Sequence, residues 1–440
     1  MQTNKQIWGV SYPIFLSLLA QNAINVTDTA FLGRVGEVEL GASAMGGLFY
    51  ICCITIAFGF TTGSQIVIAR RNGEGNYRET GPVMIQGVLF LLALAAFLFT
   101  LSRLFMEDIM GVMISSDKIM QAATDFLDIR VFGFFFSFGS MMFRALFVGI
   151  TRTKMLTLNA ILTALVNVVL DYLLIFGNFG FPEMGIKGAA IASVIAEAVS
   201  ILFFLIYTRL TVDIRKYGLD RFRSFDFALL KRVLDISIFS MMQYFVSMST
   251  FFLFFMIVER LGQRELAIAN IVRSVYIVLF IPVHSLSTTA NTFVSNAIGA
   301  GASEQVIPII RKLSRLSFAV MTVWVAFVCL MPHAIVSVYT NDPQLIADSV
   351  PSLYIISIAI LLSAVCSIVF NGLSGTGNTR AAFLLELVTL FFYCLFLYVI
   401  GLQMHQPVHV CFTAEILYFV LLLSLCLLYF RHARWQDKKI

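Results

Sequence analysis

The chain has 440 residues, 59% hydrophobic and 12% charged, with a formal net charge of +5; soluble globular domains run at about 45–50% and about 25%. That excludes a soluble fold, which cannot bury so much apolar surface, and calls for a bilayer, where helices of about 20 apolar residues satisfy their own backbone hydrogen bonds. The basic residues are scattered singly between apolar runs without interleaved aromatics, so they read as topology signals and no nucleic-acid partner is expected.

Charges, Gly, Pro and Asn punctuate the apolar runs. They predict an all-α polytopic membrane protein of about twelve spans, at 7–32, 40–69, 82–105, 124–147, 155–177, 185–208, 232–258, 266–298, 313–339, 349–372, 381–402 and 408–430. The first run carries Gln21, Asn22, Asn25 and Asp28, unlike the uninterrupted apolar core of a signal peptide, and reads as a retained first span. Gln21, Asn25 and Asp28 recur at helical spacing on one face, and Pro13 on the same span permits a bend. Asp28 lies near the outer end of that span. An ionisable group at membrane depth costs about 3 kcal/mol and is a functional-site hypothesis by default.

The fifth span adds Asn167 and Asp171, one turn apart among Ala, Leu, Val and Ile. Two aspartates and an asparagine from neighbouring helices could bind Na+ through oxygen ligands. Equally, they could share a proton, because two like charges in a desolvated site are hard to ionise together. Both readings stay open. Phe-rich runs such as 251–255 are read as facing lipid or neighbouring helices. Glu386 and Glu415 are read as paired structural groups, with Arg130 and Arg273 available to neutralise them or Asp128. His333, beside Pro332, is read as an interfacial side chain. The seven cysteines lie in or beside apolar runs without metal-ligand spacing and are read as core residues.

Lys and Arg in short loops stay cytoplasmic. One set of alternate segments holds Lys5, Arg70, Arg71, Arg78, Arg144, Arg152, Lys154, the cluster from Arg209 to Arg232, then Arg311, Lys312, Arg315, Arg380, Arg431, Arg434, Lys438 and Lys439. The other holds only Arg34, Arg103, Lys118, Lys187, Arg260 and Arg264. Both termini are therefore expected in the cytoplasm of a bacterial inner-membrane protein. The long basic connection suggests an N-terminal six-helix lobe at 1–210, a cytoplasmic linker at 211–231 and a C-terminal six-helix lobe at 232–440.

The halves repeat. Gly36 and Glu39 recur as Gly262 and Glu265, Thr61-Thr62 as Thr288-Thr289, and Gly149-Ile-Thr-Arg-Thr153-Lys154 as Gly375-Thr-Gly-Asn-Thr379-Arg380, all at an offset of about 226. Six spans per half make the copies parallel, related by a pseudo-two-fold axis along the membrane normal, with a cavity expected between two rocking lobes.

The stretch Asn25-Val-Thr-Asp28-Thr-Ala-Phe-Leu-Gly33 resembles the first-helix signature of the multidrug and toxic compound extrusion (MATE) family. Asn167-Val-Val-Leu-Asp171, followed by Gly185-Ile-Lys-Gly188-Ala-Ala-Ile-Ala-Ser193, is similar to that family's fifth and sixth helices. The resemblance implies an antiporter that expels cationic or amphipathic small molecules against Na+ or H+, a monomer surrounded by membrane lipids, without a cofactor. It implies a cation held by Asp28, Asn167, Asp171 and Ser193, with Ser standing where Thr is usual and with no further metal. Gln21, Asn25, Glu197 and Gln243 are accessory candidates for a polar cavity, although Glu197, one turn beyond Ser193, also reads as a helix-end carboxylate.

Gln243 and Ser363 stand where one branch carries acids on the seventh and tenth helices. That counts against a second acidic site in the C-terminal lobe and suits the DinF-like branch better than the NorM branch. The alternative within the wider superfamily, a lipid-linked saccharide flippase, is expected to line its cavity with basic residues, where this chain offers acids and amides. An enzyme would need a nucleophile or an acid–base group at one membrane face, and a nucleotide-driven pump would need a Gly-x-x-x-x-Gly-Lys-Ser/Thr loop. Neither motif is present in the sequence, so an ion gradient is the expected energy source.

Overall fold

The computed structural model describes residues 3–114, 116–220 and 225–436, the side chains of 112 and 113 excepted. Residues 221–224 of the expected linker and 437–440 of the basic tail, with Lys438 and Lys439, lie outside the described residues. Every regular element among the described residues is a helix. Among the described residues eleven helices are long and apolar enough to cross a membrane, and a bent pair, taken as one span, makes a twelfth. The protein is therefore a multi-pass membrane protein.

The bent pair is α4 (Asp117–Arg130) and α5 (Gly133–Gly149), which meet at 52°. The sequence predicts one straight span there, at 124–147. Phe132, Phe134 and Phe135 instead donate their backbone N–H to the carbonyls three residues back, and this tighter winding turns the chain. The ninth span differs too: α10 runs Val306–Leu330 and the short α11 runs Pro332–Val336, against an expectation of 313–339. Pro308 sits in the first turn of α10, where its missing N–H costs nothing, and Arg311, Lys312 and Arg315 belong to the helix rather than preceding it. Pro332 ends the run because its ring cannot continue it.

The helices fall into two compact units, Tyr12–Ser237 and the remainder. The boundaries lie inside α1 (Asn4–Val35), after Ser11, and inside α8 (Phe227–Leu261), after Ser237, positions equivalent under the sequence repeat. In the first unit α2 (Glu37–Gly73) packs on α3 (Thr80–Met113), α4 and α5, while α7 (Ile186–Thr211) packs on α4, α5 and α6 (Lys154–Phe176).

In the second unit α12 (Pro343–Gly375) is central, against α9 (Gln263–Gly299), α10 and α15 (Thr413–His432), with α13 (Thr379–Leu397) on α15. Its buried face carries Ser349, Ser352, Ser357, Ala359, Ser363 and Ala364. Small residues let helices approach closely in lipid, where dispersion packing replaces the hydrophobic drive. Ile271, Val275, Leu279 and Val283, one helical turn apart on α9, meet Met321 and Val325 of α10 and Leu353 and Ile360 of α12.

The repeated Gly-x-x-x-Thr turns show how the two copies differ. At equivalent positions Thr151 has φ 59° and Gly377 has φ 87°. Left-handed backbone costs a residue with a Cβ roughly 1–2 kcal/mol, partly offset by the entropy a glycine loses on folding. Thr151→Gly should therefore stabilise the protein by up to about 1 kcal/mol, read as a rise of about 2 °C in the unfolding temperature of detergent-purified protein. A fall would show that the turn needs the threonine side chain.

Candidate functional site

The polar residues expected at membrane depth come from α1 and α6, both within the first unit. Helix α6 ends at Gly177, whose left-handed conformation turns the chain back toward α7, and Asn159 of α6 donates to Ser200 Oγ of α7 at 2.8 Å. Asn167 and Asp171 are 1% and 0% exposed, and Asp28 is half-buried. With its amide nitrogen turned toward the carboxyls, Asn167 donates to Asp28 Oδ1 at 3.0 Å and to Asp171 Oδ2 at 3.3 Å.

One amide nitrogen thus bridges the Asp28 and Asp171 carboxyls. Two carboxylates can face each other in that way only when a proton or another cation lies between them. Among the described residues Asp171 Oδ1 is buried without a hydrogen-bond partner, so an acceptor oxygen is left over. Among the described residues no Lys, Arg or His forms an ion pair with either aspartate.

Of the other expected site residues, Ser193 is half-buried on α7, and among the described residues no hydrogen bond ties it to this group. Gln21 and Asn25 are exposed on α1, upstream of Asp28. Pro13 lies within a continuous helix, and its carbonyl accepts Thr157 Oγ1 of α6 at 3.2 Å. Gln243 is half-buried on α8, in the second unit.

Glu197 has a different place from the one expected. Its carboxylate accepts both terminal nitrogens of Arg130, at 2.9 and 2.6 Å, and the Tyr50 hydroxyl at 3.2 and 3.1 Å. The Arg130 guanidinium stacks 3.7 Å from the Tyr50 ring centre, and Ser137 Oγ lies 3.1 Å from the Tyr50 hydroxyl. Arg130 therefore neutralises Glu197 rather than Glu386, Glu415 or Asp128; Asp128 pairs instead with Arg103 at 2.7 Å. Arg273 lies over the Phe251 and Phe255 rings. The Arg130–Glu197 pair spans 67 positions. Both charges stand out in the sequence, but nothing in it pairs them.

The MatE family model matches residues 13–173 and again 240–399, two copies at the offset of the residue repeats. The chain is 26% identical over 402 residues, 88% of its length and 83% of the relative's, to a Thermotoga maritima protein named probable multidrug resistance protein NorM. A protein of the same name from Synechocystis sp. is also 26% identical, over 85% of this chain and 80% of its own. Among solved structures, a MOP superfamily transporter from Pyrococcus furiosus superposes with a TM-score of 0.89 at 17% identity, covering 99% of this chain and 97% of that one. A eukaryotic MATE transporter superposes at 0.86 and 16% identity, covering 98% and 96%.

Proposed function

Because the chain belongs to the MatE family, we propose that it is a secondary active multidrug exporter, antiporting cationic or amphipathic small molecules against Na+ or H+ by alternating access of two lobes. The observation that carries this reading is that Asn167 bridges the carboxyls of Asp28 and Asp171. The two are a membrane-embedded acid pair without a basic partner among the described residues, and so a place where a cation can be exchanged. It sits in the bacterial inner membrane with both termini in the cytoplasm, as the loop charges require.

A proton is the occupant that this contact accommodates with no further ligand. It would sit between the two carboxyls, with Asn167 donating to both. Na+ would need more oxygen ligands than the three side chains supply, and among the described residues no hydrogen bond ties Ser193 to them. Among the described residues no helix approaches α1 as closely as α7 approaches α6; α1 is held to α6 by the Thr157–Pro13 and Asn167–Asp28 hydrogen bonds. Occupancy of the acid pair holds α1 against α6. Loss of the cation leaves two repelling carboxylates and frees α1 to shift, and that shift couples ion release to drug affinity.

Purified protein in liposomes loaded with an ethidium-like dye tests this with each gradient imposed alone. Dye movement should follow a pH gradient without Na+ and should not follow a Na+ gradient at constant pH. Movement driven by Na+ alone would replace the proton as occupant, and movement driven by neither would end the antiport reading.

A further inference from the structure

The second unit buries an acid that none of the contacts above neutralises. Glu386 on α13 is 4% exposed, and its Oε1 accepts Ser247 Oγ of α8 at 2.6 Å and the Tyr418 hydroxyl of α15 at 3.1 Å. Among the described residues its Oε2 is buried with no hydrogen-bond partner. Glu415, half-buried in the first turn of α15, accepts the Tyr393 hydroxyl at 2.8 Å. Among the described residues neither acid has an ion-pair partner, and Arg273, the cation expected to serve them, is taken up by two phenylalanine rings. An ionised carboxylate at this depth, with one oxygen bare, is far costlier than the neutral acid.

We propose that the C-terminal unit carries a second proton-exchange site, centred on Glu386 and held by Ser247 and Tyr418. In the described conformation the Glu386 carboxyl keeps its proton. On release the O–H bond breaks, the proton passes to water, and the Glu386 carboxylate remains, stabilised by the two hydroxyls. Both hydroxyls point their hydrogens at the carboxyl, so Oε2 is the one oxygen left open, too few for a metal cation. The titratable groups that face the site carry no fixed positive charge: Tyr418 and Cys426 of α15 and Cys366 of α12 interact with Glu386, and Glu415 acts on Tyr418, on Tyr393 and on Tyr276 of α9. The site uses none of the residues of the Asp28 group and stands whether or not that group couples transport.

Infrared difference spectra of the full-length protein in lipid, between acidic and alkaline buffer, test it. The wild type should lose a carboxylic-acid carbonyl signal on alkalinisation, Asp28→Asn should keep that signal, and Glu386→Gln should lack it. Tyr418→Phe should keep the signal and move its midpoint, because one of the two hydroxyls that solvate the ionised form is gone. A signal identical in wild type and Glu386→Gln would overturn the proposal, as would a midpoint that ignores Tyr418→Phe.

Discussion

Asp28→Asn should abolish ion-driven efflux of an ethidium-like dye from everted vesicles, by at least about tenfold, with the protein still present in the membrane at its normal level. The substitution is nearly isosteric, and an amide resembles a protonated carboxyl, so the hydrogen bond with Asn167 can persist and the fold is spared. What is lost is the ability to exchange a cation. A transporter locked in the occupied state cannot couple, because an ion drives a conformational change only by as much as its occupancy differs between states. Asp171→Asn should have the same effect, and the double variant should be no worse than either, since the pair acts as one site. Undiminished transport by Asp28→Asn would remove Asp28 from the mechanism.

That site was legible because its signal is local. A carboxyl or amide in an apolar helix stands out, and Asn167 and Asp171 share a helix face at one turn's spacing whatever their neighbours are. The spans were legible for the same reason: each apolar run needs no knowledge of the others. The turn at Val131 and Phe132 was not, because neither residue is a helix breaker and the bend follows from how α4 and α5 pack. Pairings between helices were beyond reach as well. Arg130 and Asp128 lie two positions apart on α4 and so cannot face each other, and which residue of α7 Arg130 meets depends on how the two helices are turned toward each other, which the sequence does not state. Glu386 illustrates the converse: its sequence context invites a partner cation, and only the packing of α8, α13 and α15 shows two hydroxyls in that place.

Loss of the Glu197 carboxylate should be the most destabilising change in the first unit. Arg130 would keep a buried guanidinium with its bidentate partner gone, at a cost of roughly 3–5 kcal/mol for breaking one side of a buried pair. Close packing leaves no room for rearrangement: a Cβ on Gly133 would collide with the Glu197 carboxylate, the Arg130 guanidinium and the Tyr50 hydroxyl, so this corner is shaped around the pair. Removing both charges with Arg130→Met and Glu197→Met should recover most of the loss, because an apolar pair of similar volume need not be less stable than the ions. Thermal unfolding of the two single variants and the double variant in detergent gives the coupling directly. Additive losses would mean that the ion pair is not what these residues contribute.

The pair also touches transport. Glu197 holds and compensates the Arg130 charge in the same unit as the Asp28 group. With Glu197→Gln the uncompensated guanidinium, a buried positive charge in the same unit as the acid pair, works against binding of the transported cation, so efflux should fall further than the residual folded protein accounts for. The Met–Met variant removes that charge and should regain efflux along with stability. A double variant that folds yet stays inactive would instead make Arg130 a positioning residue of the Asp28 site itself.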